Sequence, residues 1–130
     1  MLLNNFFRIL MCDPLAGQEG KFKAVLGLNE KHPIYGGHFP GMPVTPGVCL
    51  VQMVKETAGY ILKKRLMMGK ADLMKFIAIV NPHVTPELTL ELSLKPLENG
   101  QFQCESVAYH DQTVFFKIKA VYQVIQSLHD

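Results

Sequence analysis

Apolar and polar residues alternate in several short stretches of the chain, and this pattern predicts strands. Residues 21–28 and 88–95 carry apolar side chains at every second position, the period of a half-buried strand. The Asn99-Gly100 pair that follows the second stretch is a strong hairpin signal. Further runs of strand type occupy residues 6–11, 76–80, 102–109 and 114–125.

One amphipathic helix is predicted in the middle of the chain. Thr45 is a suitable N-cap, and Pro46 is a favourable first helical residue. From there to about Met67, apolar residues recur at helical spacing and form one stripe. The predicted order is two strands, a loop, one helix and four strands, which is an α+β architecture with the sheet covering the helix.

Composition favours one domain over residues 1–130, since 48% of the residues are hydrophobic and 18% are charged. A cytoplasmic location is expected from the cysteine pattern and the poor match to a signal peptide. A net charge of +2, with no dense Lys/Arg run, argues against a nucleic-acid partner. The beginning of the chain reads poorly as a signal peptide. No stretch approaches the ~20 apolar residues that cross a bilayer, so no membrane association is expected. The three cysteines lack metal-ligand spacing, which predicts reduced thiols and no bound metal.

Residues 37–48, which read GHFPGMPVTPGV, form the most informative segment. A loop fixed by prolines inside a compact domain is often functional. This segment resembles the HFPG-x-P-x-x-PG signature of the hot-dog (3R)-hydroxyacyl-acyl-carrier-protein dehydratases of fatty acid synthesis. The order of the elements and the chain length agree with that family. The resemblance therefore covers nearly the whole chain, although it is sharp only from Gly36 to about Glu56.

The resemblance implies a hot-dog fold, in which an antiparallel sheet wraps around one long helix. It also implies a cofactor-free hydro-lyase that converts a hydroxyacyl thioester into a trans-2-enoyl thioester. The substrate would be an acyl chain linked through phosphopantetheine to an acyl carrier protein. The assembly would be a homodimer or a larger homo-oligomer, with sheets joined edge to edge and active sites built from both subunits. The basic cluster at residues 63–65, with Lys70 and Lys75, is either a surface for the acidic carrier protein or an ordinary solvated face.

Two residues of the signature have roles that the resemblance implies. His38 would be the base that removes the C2 proton, because the pKa of histidine lies near neutrality. The backbone N–H of Gly47 would hold the thioester carbonyl, since a helix N-terminus favours developing negative charge. The absence of a Cβ at Gly47 would permit close approach of the substrate. The residues expected to line the acyl site are Tyr35, Phe39, Met42, Val44 and Phe76.

The helix departs from the family pattern at its acidic position. In that pattern a carboxylate lies fourteen residues after the motif histidine, and this chain has Gln52 there. One turn later, where glutamine is common in the family, this chain has Glu56 on the same helix face. Glutamine forms hydrogen bonds but does not cycle protons.

This exchange leaves three interpretations open. In the first, Glu56 takes the acid role in a working dehydratase, with Gln52 beside it in the catalytic site. In the second, the chain is a non-catalytic acyl-binding protein or the partner subunit of a dehydratase heterodimer. In the third, it is a hot-dog acyl thioesterase, because many such enzymes place a carboxylate on this helix.

Overall fold

The structure is a computed structural model that describes residues 5–36 and 43–128. Six strands form one antiparallel sheet in the order β1-β2-β4-β5-β6-β3, and one α-helix lies between β2 and β3 in the chain. The predicted α+β architecture and the predicted order of elements are thereby confirmed. The elements are β1 (Phe7–Pro14), β2 (Lys21–Leu28), a 3-10 turn (Pro33–Tyr35), α1 (Gly47–Leu62), β3 (Lys64–Phe76), β4 (Glu87–Pro96), β5 (Gln101–His110) and β6 (Thr113–Ser127).

The inner face of the sheet supplies most of the hydrophobic core. The alternation predicted at residues 88–95 places four leucines of β4 in the core, each at most 5% exposed. The neighbouring strand β5 contributes the small buried side chains of Cys104, Ser106 and Ala108. Met53 of the helix belongs to the same core cluster as Cys104 and Ala108.

Helix α1 buries one face and leaves the other uncovered by its own sheet. Val48 and Tyr60 on the outer face are 76% and 61% exposed. Gln52 and Glu56, between them on that face, are half-buried. The helix therefore presents its candidate catalytic positions away from the core. The buried helix residues are Cys49, Leu50, Met53, Val54, Thr57, Ala58 and Gly59.

The predicted end of the helix near residue 67 is wrong, because α1 ends at Leu62. Lys63 adopts the left-handed conformation, with φ 56° and ψ 47°, and donates its N–H to the Gly59 carbonyl. A Cβ at Gly59 would lie 2.7 Å from the Lys64 carbonyl oxygen, so glycine permits this tight turn. The last turn of the predicted apolar stripe belongs to strand β3 instead.

Strand β3 is an edge strand, longer and earlier in the chain than the strand predicted at residues 76–80. The predicted position is wrong because the helix ends early, at Leu62, and β3 begins directly after it. The strand then ends at Phe76, where the predicted strand would begin. Residues 71–79 are all exposed.

The predicted hairpin turn is confirmed, since Asn99 and Gly100 have φ angles of 63° and 73°. No helix within residues 5–36 and 43–128 is long and apolar enough to span a membrane.

Candidate functional site

The start of α1 offers a backbone donor that has no backbone acceptor in the part of the chain that the structure describes. Pro46 is the N-cap residue and carries no side-chain cap, while Cys49 donates its N–H to the Pro46 carbonyl over 2.9 Å. No backbone carbonyl of the described residues accepts the N–H of Gly47. A free N–H at the positive end of a helix dipole attracts negative charge. This geometry suits the role predicted for Gly47, which stays a prediction.

Glycine at position 47 also accommodates an aromatic ring. A Cβ at this position would lie 2.8 Å from Cε1 of Phe76, the last residue of β3. The Phe76 ring stacks on Phe116 of β6, with centroids 4.8 Å apart and planes at 24°. Because Phe76 is still 52% exposed, its ring forms part of the open surface beside the helix start. Two residues predicted for the site thus lie in contact.

Tyr35 and Thr45 form a buried hydrogen bond on the inner side of this region. The Tyr35 hydroxyl lies 2.9 Å from Oγ1 of Thr45, and the two residues are 7% and 5% exposed. Thr45 therefore does not cap the helix as predicted, since its side chain bonds Tyr35. Burial raises the pKa of the Tyr35 phenol, which the Thr45 hydrogen bond partly opposes and the nearby Cys49 thiol reinforces. Tyr35 is thus a protonated phenol at neutral pH. Val44, also predicted to line the site, is half-buried.

The exchanged pair on α1 is in direct contact. Nε2 of Gln52 donates a hydrogen bond of 3.0 Å to Oε2 of Glu56. This bond joins the two side chains across one helical turn, and both are half-buried. The Gln52 amide thus orients the Glu56 carboxylate.

A groove that sequence reasoning missed lies beside Glu56. Its volume is about 510 Å³, and it adjoins a second groove of about 450 Å³ that shares Gly59, Tyr60 and Leu128 with it. The basic residues at 63–65 were a sequence signal for this region. Nothing in the sequence indicated that Ile125 and Leu128, which are distant along the chain, would complete the groove. The lining of the larger groove consists of Lys55, Glu56, Gly59, Tyr60, Lys64, Arg65, Leu66, Ile125 and Leu128.

Three predicted site residues, His38, Phe39 and Met42, lie outside the described residues. Elsewhere, Nδ1 of His32 accepts the N–H of Ile34 and caps the 3-10 turn, and His83 pairs with Glu30 at 2.8 Å. Within residues 5–36 and 43–128, no three His, Cys, Asp or Glu side chains could hold a metal ion together.

A family model and a curated relative connect the chain to dehydratases. The ApeI-like family model, described as ApeI dehydratase, matches residues 15–117. The 3-hydroxyacyl-acyl-carrier-protein dehydratase FabZ of Coxiella burnetii (strain RSA 331 / Henzerling II) is 29% identical over 102 residues. The match covers 72% of this chain and 72% of that protein.

Solved structures share the fold. A chain of the dehydratase heterocomplex ApeI:P from Xenorhabdus doucetiae gives a TM-score of 0.66 at 18% identity, covering 89% of this chain and 96% of that chain. A hypothetical thioesterase with coenzyme A from Streptococcus pneumoniae TIGR4 gives 0.64 at 7% identity, covering 95% and 88%. These similarities confirm the predicted hot-dog fold. Because the family model spans well over half of its length, the chain belongs to the ApeI-like dehydratase family.

Proposed function

We propose that the chain is a (3R)-hydroxyacyl-acyl-carrier-protein dehydratase that forms a trans-2-enoyl thioester. One observation carries this proposal: the dehydratase signature runs directly into α1, where Gln52 holds the Glu56 carboxylate one turn away. The reaction needs a base, an oxyanion donor and an acid, and this stretch supplies a candidate for each.

In the proposed reaction, His38 removes a proton from C2 of the acyl chain. The electron pair of the broken C–H bond forms the C2–C3 double bond, and the N–H of Gly47 stabilises the negative charge on the thioester oxygen. The C3–O bond breaks as the Glu56 side chain, acting as the acid, delivers a proton to the leaving hydroxyl, which departs as water. Transfer of the proton from His38 back to Glu56 through solvent completes the cycle.

The Gln52 side chain also favours a second candidate, a partner subunit that binds acyl chains without catalysis. A third candidate is a hot-dog acyl thioesterase, because Glu56 places a carboxylate on the helix. One assay separates the three. Purified protein with a hydroxyacyl thioester should produce enoyl absorbance without release of free thiol. Thiol release without enoyl product would favour a thioesterase. Acyl binding with neither product would favour a partner subunit.

The larger groove is our proposed surface for the carrier protein. Lys55, Lys64 and Arg65 line this groove together with Tyr60 and Ile125. Cations beside apolar side chains complement an acidic carrier that also presents apolar side chains. The groove contains Glu56, so a carrier bound there would lie beside the candidate acid.

Reversing two charges tests the carrier surface. The double variant Lys64→Glu/Arg65→Glu should raise KM for the carrier-linked substrate about tenfold, because like charges repel at the interface. KM for the same acyl chain on free pantetheine should stay unchanged. Lys95→Glu/Lys117→Glu, two exposed lysines elsewhere on the sheet, is the matched control. An equal effect of both double variants would place the carrier elsewhere.

Strand β3 is our proposed homodimer edge. It is a sheet edge, and exposed backbone groups there favour pairing with another chain. It has 13 residues against 8 in the other edge strand, β1, which ends in Pro14. Exposed apolar side chains along and just beyond β3 support the same assignment: Leu73, Met74, Phe76, Ile77 and Ile79.

Light scattering tests this assembly. The wild type should be a dimer at micromolar concentration, and Leu73→Lys/Met74→Lys should make it monomeric by adding charge to the interface. Leu10→Lys/Met11→Lys on β1 is the matched control, since both side chains are 44% exposed. That control should remain dimeric. A monomeric wild type, or a dimer that only the β1 variant disrupts, would contradict the assignment.

A further inference from the structure

The Tyr35–Thr45 hydrogen bond connects the segment before the signature to a residue inside it that lies just before α1. Tyr35 ends the 3-10 turn, three residues before His38 in sequence. Thr45 lies two residues before Gly47, the first residue of α1. The bond is 2.9 Å long and both residues are buried. It therefore fixes the end of the 3-10 turn relative to the residues that lead into α1.

Each partner is fixed to a different part of the fold. The Tyr35 ring stacks on the fully buried Phe6, with centroids 5.6 Å apart and planes at 23°. The N–H of Thr45 donates to the Val80 carbonyl, beyond the end of β3, over 2.9 Å. Since the Tyr35 ring and the Thr45 backbone are each held by a separate contact, the bond joins two parts of the fold that are already positioned.

The chain also contains a buried tyrosine that lacks such a bond. Tyr122 is fully buried, and its hydroxyl has no hydrogen-bond partner in the part of the chain that the structure describes. Burial of a tyrosine in this core therefore does not by itself provide its hydroxyl with a hydrogen-bond partner. Tyr122 provides a matched control, because the same substitution removes a buried phenolic oxygen at both positions.

We propose that Tyr35 and Thr45 are positioning residues: their hydrogen bond holds the chain before His38 in register with the helix start at Gly47. The consequence for the rate rests on the proposed dehydratase function. Neither side chain needs to touch the substrate for this role. Alignment of reacting groups affects the rate strongly, and small displacements are costly.

Kinetics of four variants test the proposal. Tyr35→Phe and Thr45→Val should each lower kcat about three- to tenfold, as expected for one lost hydrogen bond, with KM nearly unchanged. Thr45→Ser keeps a hydroxyl and should retain the wild-type rate. The double variant Tyr35→Phe/Thr45→Val should be no slower than either single variant, because both remove the same bond. Unchanged kcat in both single variants, or additive losses in the double variant, would overturn the proposal.

Tyr122→Phe is the control and should leave kcat unchanged. An equal loss in Tyr122→Phe would attribute the effect to general loosening of the core, and the positioning role would be rejected. This control distinguishes loss of the Tyr35–Thr45 hydrogen bond from the general effect of removing a buried phenolic oxygen.

Amide hydrogen exchange separates failure of this proposal from failure of the dehydratase function. Without substrate, Tyr35→Phe should accelerate exchange at Cys49 and Leu50 at the helix start, and Tyr122→Phe should not. If the wild type forms no enoyl product but shows this pattern, the dehydratase function is refuted and the register role is supported. If the wild type is active but exchange and kcat are unchanged in Tyr35→Phe, the register role is refuted.

Discussion

Replacing His38 with alanine should reduce the rate of enoyl formation by about 10²- to 10⁴-fold, the usual contribution of one acid–base group. In the proposed reaction His38 is the base for the C2 proton, and an imidazole is half-protonated near neutral pH. The measurement is kcat for a (3R)-hydroxyacyl pantetheine thioester, from the appearance of enoyl absorbance. Binding of the enoyl product should change little, since alanine removes only the imidazole that acts as the base.

His110→Ala is the control for this prediction. His110 lies at the turn between β5 and β6, and its side chain is 42% exposed. Its removal should leave the rate at the wild-type value. A His38→Ala variant that keeps most of its activity would show that another group removes the proton, and the proposed mechanism would be wrong.

Replacing Glu56 with glutamine should lower the rate by a similar factor, about 10²- to 10⁴-fold. The new amide can still accept a hydrogen bond from Gln52, but it has no proton to give to the leaving hydroxyl. The circular dichroism spectrum should be unchanged, because the side chain is only half-buried and keeps its size. Glu56→Asp keeps the carboxylate but withdraws it by one methylene, so it should retain part of the activity.

The reciprocal variant, Gln52→Glu, distinguishes the two carboxylate positions. If Glu56 is the acid, Gln52→Glu should leave activity unchanged or raise it. The opposite result is an inert wild type that gains dehydratase activity only through Gln52→Glu. Glu56 would then do no chemistry, and the natural chain would be an acyl-binding or partner subunit.

The fold could be predicted well from the sequence because its strongest signals are local. Alternating leucines identified β4, and Asn99-Gly100 identified the hairpin that follows it. Pro46 placed the start of the helix to within one residue, since it is the N-cap and Gly47 is the first helical residue. The signature identified the family, because a fixed order of His, Pro and Gly residues is much rarer than a hydrophobic period.

Features that depend on tertiary contacts could not be predicted. The helix ends early because Lys63 adopts a left-handed conformation and Gly59 meets the next segment, whereas the apolar period continues into β3. The Thr45 hydroxyl bonds Tyr35 rather than capping the helix, a choice that only the folded core decides. The groove beside Glu56 combines the end of the helix with Ile125 and Leu128, which are distant in sequence.

The most direct test of the central claim is turnover by the wild-type chain purified without any other subunit. The initial rate of enoyl formation from a (3R)-hydroxyacyl thioester is measured beside His38→Ala prepared identically, which reports any contaminating dehydratase from the expression host. The proposed function predicts many turnovers per chain in the wild type and almost none in His38→Ala. Equal rates in the two preparations, or no enoyl product in either, would contradict it.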